Sequence, residues 1–443
     1  MLASAPMDSL TQIALGATVA AIAVPASHRR AALLAGAALG TVPDLDVIPL
    51  HWLAADPVAN MTWHRGPSHS LLVLPRALQR FRIPAPLTCL AMGVGAMLAW
   101  GPRAHDPLVA WLSTFGISAL FLFAGLEVDL ASLRRRLRPL GAHLAIRALS
   151  VGGVAWAAMH GLDMAWQPAV LLAMALMTPS TGFILDTLER LGLDEEERFW
   201  VTSKAIAGEL LALAALFVVL LADDPARLGL SSLALGGLLV GLPLAFVALG
   251  RWVAPHAPGS EFSLLVMVGL VAAFITAKLG VYYLVGAFVA GLAARLLRSR
   301  MPLLASDENL HAVRLFATFF VPFYFFSAGT HVPPGAVSLQ ALGLGLLLSA
   351  VVLPLRIGVV WAQRRAMFGE DHRSSLRVAV SLAPTLVFTL VLVAILQSRF
   401  GLDDALCGAL VLYAAISTAL PSLVLKQPFD PSPLEPRAPG EPA

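Results

Sequence analysis

The chain has 443 residues, of which 58% are hydrophobic and only 13% charged, with a formal net charge of +3 and a mean hydropathy of +0.80. Soluble domains carry about a quarter charged residues, and no core of plausible size could hide this much apolar surface from water. A soluble globule is excluded, and lipid is the solvent for most of the chain. The basic residues are nearly all arginine, with lysine only at Lys204, Lys278 and Lys426, and they fall in short scattered clusters, so nothing supports a nucleic-acid partner. Cys89 and Cys407 both sit inside apolar runs, which gives neither a disulfide framework nor a thiolate metal site.

The first 80 residues read differently from the rest. Residues 10 to 24 and 31 to 50 are apolar but punctuated, and His51 to His69 is polar enough for a loop. Arg29 and Arg30 follow the first apolar run instead of preceding it, which argues against a secretory signal. "VPDLD" supplies Asp44 and Asp46, and "WHRGPSHS" supplies His64 and His69, a mixture of carboxylates and imidazoles that could hold a divalent metal such as Zn²⁺ or Mn²⁺. With the opening "MDSLTQIALGA", these motifs resemble the membrane-bound metal-dependent hydrolases over about residues 7 to 75. The resemblance implies either a hydrolase acting through that cluster, a metal-binding remnant, or a fused segment that adds N-terminal helices.

Twelve further stretches are apolar over roughly the 20 residues needed to cross a bilayer: 84 to 101, 107 to 126, 140 to 160, 167 to 187, 199 to 222, 228 to 250, 262 to 278, 281 to 298, 313 to 329, 338 to 362, 374 to 398 and 404 to 426. Basic residues such as Arg76, Arg80, Arg134, Arg135, Arg136, Arg198, Arg251, Arg298, Arg300, Arg364 and Arg373 all fall on one side, which places the even-numbered turns in the cytoplasm. The proline-rich tail, 427 to 443, reads as cytoplasmic and disordered.

Ionisable residues inside spans are costly and therefore candidates for function. Glu209 lies about ten residues into the fifth stretch, hence about 15 Å deep at 1.5 Å per residue. Arg356 lies in the tenth stretch, and Lys204 is one shallow turn from Glu209, where snorkelling to the interface is the simplest expectation. Two stretches are interrupted at mid-depth: the fourth by Thr178, Pro179, Ser180, Thr181 and Gly182, the eleventh by Ala383, Pro384 and Thr385. Proline removes a backbone donor and clashes with the preceding turn. The freed groups are tolerated at that depth only inside protein or along a cavity, and a matched pair of such breaks points to a transporter's ion site. The stretches three to five and ten to twelve enter from opposite faces, which is the topology of an inverted repeat. Elsewhere, Glu127, Asp129, Asp186 and Glu189 read as interfacial salt-bridged caps, Asp194 to Glu197 as a solvated acidic loop, and "FFVPFYFF" as packing.

Over about residues 80 to 426 the chain resembles the monovalent cation:proton antiporters of the bacterial sodium/proton and potassium-efflux type. The motifs are "LFLFAGLEVDLASLRRRLRPL" at 120 to 140, "TPSTGFILDTLERLGL" at 178 to 193, "LVGAFVAGL" at 284 to 292 and "FFVPFYFFSAG" at 319 to 329. The resemblance implies an all-α, inverted-repeat membrane fold of about 12 to 14 spans with two interrupted crossing helices. It also implies a multi-pass protein of the bacterial inner membrane, a homodimer, and no enzymatic activity. The family's paired acids correspond here to Gly208 and Glu209, and its basic residue in the tenth helix to Arg356. The expected ion- and proton-binding residues are Glu209, Ser203, Thr178, Ser180, Thr181, Pro384 and Thr385, with Arg356 and Lys204 compensating charge. An acid in a dehydrated site can take either a proton or a desolvated Na⁺ or K⁺. With Gly208 offering nothing ionisable and Arg356 unable to release its proton, one cation per proton is expected, hence electroneutral exchange. An inactive ion-binding scaffold is the remaining alternative.

Overall fold

Whether a proline breaks a membrane helix depends on what stands ready to satisfy the groups it frees, and this chain contains both outcomes. The computed structural model describes residues 84–128, 137–253, 256, 260–279, 283–297 and 306–425, all within the unit Arg82–Ala443. In chain order the helices are α1 Ala85–Trp100, α2 Pro107–Leu126, α3 Leu137–Gly161, α4 Trp166–Met177, α5 Thr181–Thr187, α6 Glu195–Leu221, α7 Pro225–Trp252, α8 Glu261–Lys278, α9 Tyr283–Leu296, α10 Asp307–Thr330, α11 Leu339–Phe368, α12 His372–Ser381, α13 Leu386–Phe400 and α14 Asp404–Val424. No strand occurs among the described residues.

Each of the twelve apolar stretches is helical over most of its described residues. Among the described residues nine segments are long and apolar enough to cross a membrane, α12 and α13 make a further span bent by 42°, and α1 and α9 are shorter apolar helices. Several spans start on short acceptors that satisfy the first amides. Asp106 accepts from Leu108 N at 2.7 Å, Asp224 from Arg227 N at 2.9 Å, and Asp403 from Ala405 N at 3.0 Å. Of Asp194 to Glu197, read from the sequence as a solvated acidic loop, Asp194, Glu195 and Glu196 are exposed as expected, while Glu197 is buried and closes a capping box with Asp194 at the start of α6. Glu197 also pairs with Arg377 of α12 at 3.2 Å. The aromatic run of α10 packs as expected, with Phe319 in ring contact with both Phe320 and Phe323, and Tyr324 with Phe325.

Helix contacts sort the spans into two groups. In one, α2 packs against α9 and α10, α1 against α10, and α8 against α9. In the other, α3 packs on α4 and α6, α4 on α13, α13 on α14, and α14 on α11, which packs on α12. The α7 helix touches α6, α8 and α9. The two groups also meet at α5 and α2, where Gly182 faces Leu120: a Cβ on residue 182 would stand 2.6 Å from Leu120 Cγ and would have to displace that side chain.

The helix breaks come where the prolines predict them. Thr178 precedes Pro179, which disfavours the helical region for it, and it adopts extended angles of φ −84° and ψ 127°. The second break runs through Leu382, Ala383, Pro384 and Thr385 between α12 and α13. By contrast, Pro243, Pro322, Pro354 and Pro421 lie inside continuous helices.

Candidate functional site

The ends of the broken helices carry backbone groups with no intrahelical partner, and buried groups of this kind need partners. In this fold the partners come from the opposite break and from side chains on four other helices. Ser180 N donates to Pro384 O at 2.8 Å, so the two breaks are joined directly. Three successive carbonyls at the end of α4 are then taken up one by one. Thr389 Oγ1 donates to Ala175 O at 2.7 Å, Tyr413 Oη to Leu176 O at 2.7 Å, and Arg147 Nη2 to Met177 O. At the end of α12, Arg356 donates from Nη2 to Leu382 O at 3.0 Å and from Nη1 to Ala383 O at 2.9 Å. Arg356 Nη1 also reaches Tyr413 Oη at 2.9 Å, which closes a network across both halves.

Arg147 on α3 and Arg356 on α11 therefore do the same work, each placing a cation at the negative end of a half-helix. Their helices hold corresponding places in the two inverted triplets of spans. The sequence reading found Arg356 and missed Arg147, although the repeat it recognised should have led from one to the other.

Glu209 sits on α6 with 1% of its surface exposed. Its Oε2 accepts from Thr181 N, the first amide of α5, at 3.1 Å. The Thr181 hydroxyl lies beside the same carboxylate without hydrogen-bonding geometry. Ser180 Oγ and Thr181 Oγ1 are buried and have no hydrogen-bond partner among the described residues. One acid, one helix N-terminus and two uncommitted hydroxyls thus gather at the crossing. Of the other expected residues, Thr178 and Pro384 are buried in the breaks themselves, and Thr385 Oγ1 is engaged with Ser417 Oγ at 3.0 Å. Ser203 is buried on α6, nearly two turns before Glu209, with no hydrogen bond to either break among the described residues. The Asp44, Asp46, His64 and His69 set lies outside the described residues. Among the described residues no group of His, Cys, Asp or Glu is placed to hold a metal ion.

Arg356, expected to balance either Glu209 or the helix ends, bonds the carbonyls of Leu382 and Ala383 and the Tyr413 hydroxyl. One expectation about charge needs correction. Lys204 does not reach outward to an interface. It is fully buried and donates to Gln363 Oε1 at 3.1 Å, with its ammonium 5.9 Å from the centre of the Trp200 ring. The same Gln363 oxygen is 3.0 Å from His143 Nδ1. Gln363, His143 and Tyr413 carried no sequence signal, because neutral side chains inside long apolar runs look like packing.

With this geometry in place, comparison with known proteins decides the family. The family model for the transmembrane sodium/hydrogen exchanger matches residues 69–430. The chain belongs to that family. An Na(+)/H(+) antiporter of Enterococcus hirae is 24% identical over 367 residues, 79% of this chain and 92% of the relative. The Na(+)/H(+)-K(+) antiporter GerN of Bacillus cereus is 25% identical over 369 residues, 78% and 90% of the respective chains. The solved structure of the sodium proton antiporter MjNhaP1 from Methanocaldococcus jannaschii superposes with a TM-score of 0.60 at 14% identity, covering 80% of this chain and 94% of that one. This exchanger-family chain is thus a multi-pass membrane protein with the antiporter fold, and a transporter in place of an enzyme. The hydrolase resemblance over about 7 to 75 draws no support from these relatives.

Proposed function

We propose that the protein exchanges one Na⁺ or K⁺ for one proton across the membrane, with both ions visiting the Glu209 carboxylate in turn. The observation that carries this reading is the placement of Glu209: buried at the crossing of two broken helices, on the first amide of α5, beside the uncommitted hydroxyls of Ser180 and Thr181. Those oxygens, with the carboxylate, can replace part of a cation's water shell. A proton on Glu209 neutralises the acid when the cation leaves, so the site alternates between two states of equal charge. Arg356 and Arg147 keep their protons and stay committed to helix ends. One cation then moves per proton, and the exchange is electroneutral. The names of the Enterococcus and Bacillus relatives support Na⁺, with K⁺ as a second cation.

Alternating access follows from movement of the α1, α2, α8, α9, α10 group against the group that holds the breaks. The test uses everted vesicles with a pH-sensitive dye. Adding Na⁺ or K⁺ dequenches the dye with the native protein, and Glu209→Gln, inserted at equal level, abolishes the response. Full exchange by Glu209→Gln would end this reading. A sizeable current in reconstituted vesicles would remove the one-to-one ratio alone.

A further inference from the structure

A cavity of about 30 Å³ lies beside the crossing, lined by polar groups from His143, Arg147, Ser150 and Arg356 and by Met177 and Ala383 at the two breaks. It has room for one or two water-sized species. Its lining contains no carboxylate among the described residues. A guanidinium has five N–H donors, no acceptor, and a permanent charge. Arg147 uses a donor on Met177 O, and Arg356 uses its Nη atoms on Leu382 O, Ala383 O and Tyr413 Oη. Each helix end contributes only about half a negative charge, so two whole positive charges stand against two halves. Lys204, held by Gln363 just behind His143, adds another. Arg356 is buried and Arg147 partly so, and charge with so little access to water is expensive to leave uncompensated.

His143 bounds the cavity on one side. It is 3% exposed, its Nδ1 is committed to Gln363 Oε1, and its Nε2 has no partner among the described residues. Because Nδ1 faces an acceptor, it carries the hydrogen, so Nε2 of the neutral ring is an acceptor, which one water sharing the cavity can meet.

We propose that this cavity is a binding site for one small inorganic anion of the halide class, chloride in a cell, held by the guanidinium groups of Arg147 and Arg356. A monatomic halide is close to water in size, which suits the space between the two guanidinium groups. The anion is a resident counter-charge that leaves Glu209 as the single acid free for exchange.

The test reads binding, not transport, so it stands or falls separately from the exchange reading. The purified full-length protein is melted at fixed Na⁺ while chloride replaces gluconate. A saturable rise in melting temperature with chloride and bromide, absent with gluconate and sulfate, is expected. Arg147→Gln is expected to weaken the apparent chloride affinity about tenfold or more, the effect of losing a hydrogen bond to a charged group. Should that variant fail to fold, chloride-35 line broadening on the native protein, displaced by bromide, gives the same answer. Identical melting in chloride and gluconate with no displaceable broadening means that water fills the cavity, and it overturns the proposal. A halide effect retained in full by Arg147→Gln overturns it as well.

Discussion

Ser180 and Pro384 meet backbone to backbone, the amide of one donating to the carbonyl of the other at 2.8 Å, and this bond locks two half-helices from opposite ends of the chain into a single crossing. Glu209 is placed by that lock, because its carboxylate rests on the amide of the next residue, Thr181. Shortening the acid by one methylene in Glu209→Asp keeps the charge but withdraws it from Thr181. A hydrogen bond to a charged group is worth about 1.5–3 kcal/mol, so the half-saturating cation concentration is expected to rise about tenfold or more with the maximal exchange rate less affected. Dye-dequenching titrations in vesicles check this, and an unchanged half-saturation would mean that Thr181 does not hold the acid during transport.

Tyr413 is the node between the repeats: its hydroxyl donates to Leu176 O at 2.7 Å and accepts from Arg356 at 2.9 Å. Tyr413→Phe strands one buried carbonyl, at a cost of about 1–3 kcal/mol. Removing the guanidinium in Arg356→Gln withdraws donors from Leu382 O and Ala383 O together, and its cost is expected to be larger. Melting of the purified variants should rank native above Tyr413→Phe above Arg356→Gln. The reverse order would show that Arg356 is not the main cap of α12.

The spans, the breaks and the deep acid were legible because each is a local property: run length, a proline within a hydroxyl-rich motif, a charge in an apolar run. Yet proline alone was insufficient, since Pro322 and Pro354 sit in unbroken helices. At Pro179 and Pro384 the difference lies in what meets the freed groups, and those partners, Arg147, Thr389, Tyr413 and Arg356, come from distant segments. The fate of Lys204 was hidden for the same reason. Snorkelling is what a lysine does in lipid, and only tertiary structure reveals the Gln363 oxygen that keeps it inside.

Lys204 and Gln363 should respond unequally to mutation. Gln363 Oε1 serves both Lys204 Nζ and His143 Nδ1, so Gln363→Leu leaves a buried ammonium without its acceptor, and losing a hydrogen bond to a charged group costs about 1.5–3 kcal/mol. Lys204→Met removes the charge itself and leaves Gln363 bonded to His143. Replacing a buried charge by an apolar side chain of similar volume is often neutral or stabilising, and Met suits an irregular space. Thermal unfolding should show a large loss for Gln363→Leu and little or none for Lys204→Met. Equal losses would mean that Lys204 has a compensating partner beyond Gln363.

Gly208 is where a second acid would alter the ion count, and Arg147 stands in its way. A Cβ at residue 208 would lie 3.2 Å from Arg147 Nε and 3.3 Å from its Cζ, within reach of a movable guanidinium. A carboxylate built there by Gly208→Asp would pair with Arg147 at once, as guanidinium and carboxylate do in a dry site, and would not take part in the ion cycle. Exchange by Gly208→Asp is therefore expected to remain electroneutral. In the double variant Gly208→Asp, Arg147→Ala the new acid is released beside Glu209, two carboxylates share the site, and their protons come off in coupled steps. That variant should move an extra charge per cycle and produce a current on a solid-supported membrane under a Na⁺ jump, while the native protein and Gly208→Asp alone produce none. A current from Gly208→Asp alone would show that Arg147 does not neutralise this position. Silence from a double variant that still exchanges would show that the number of acids at the crossing does not set the charge moved.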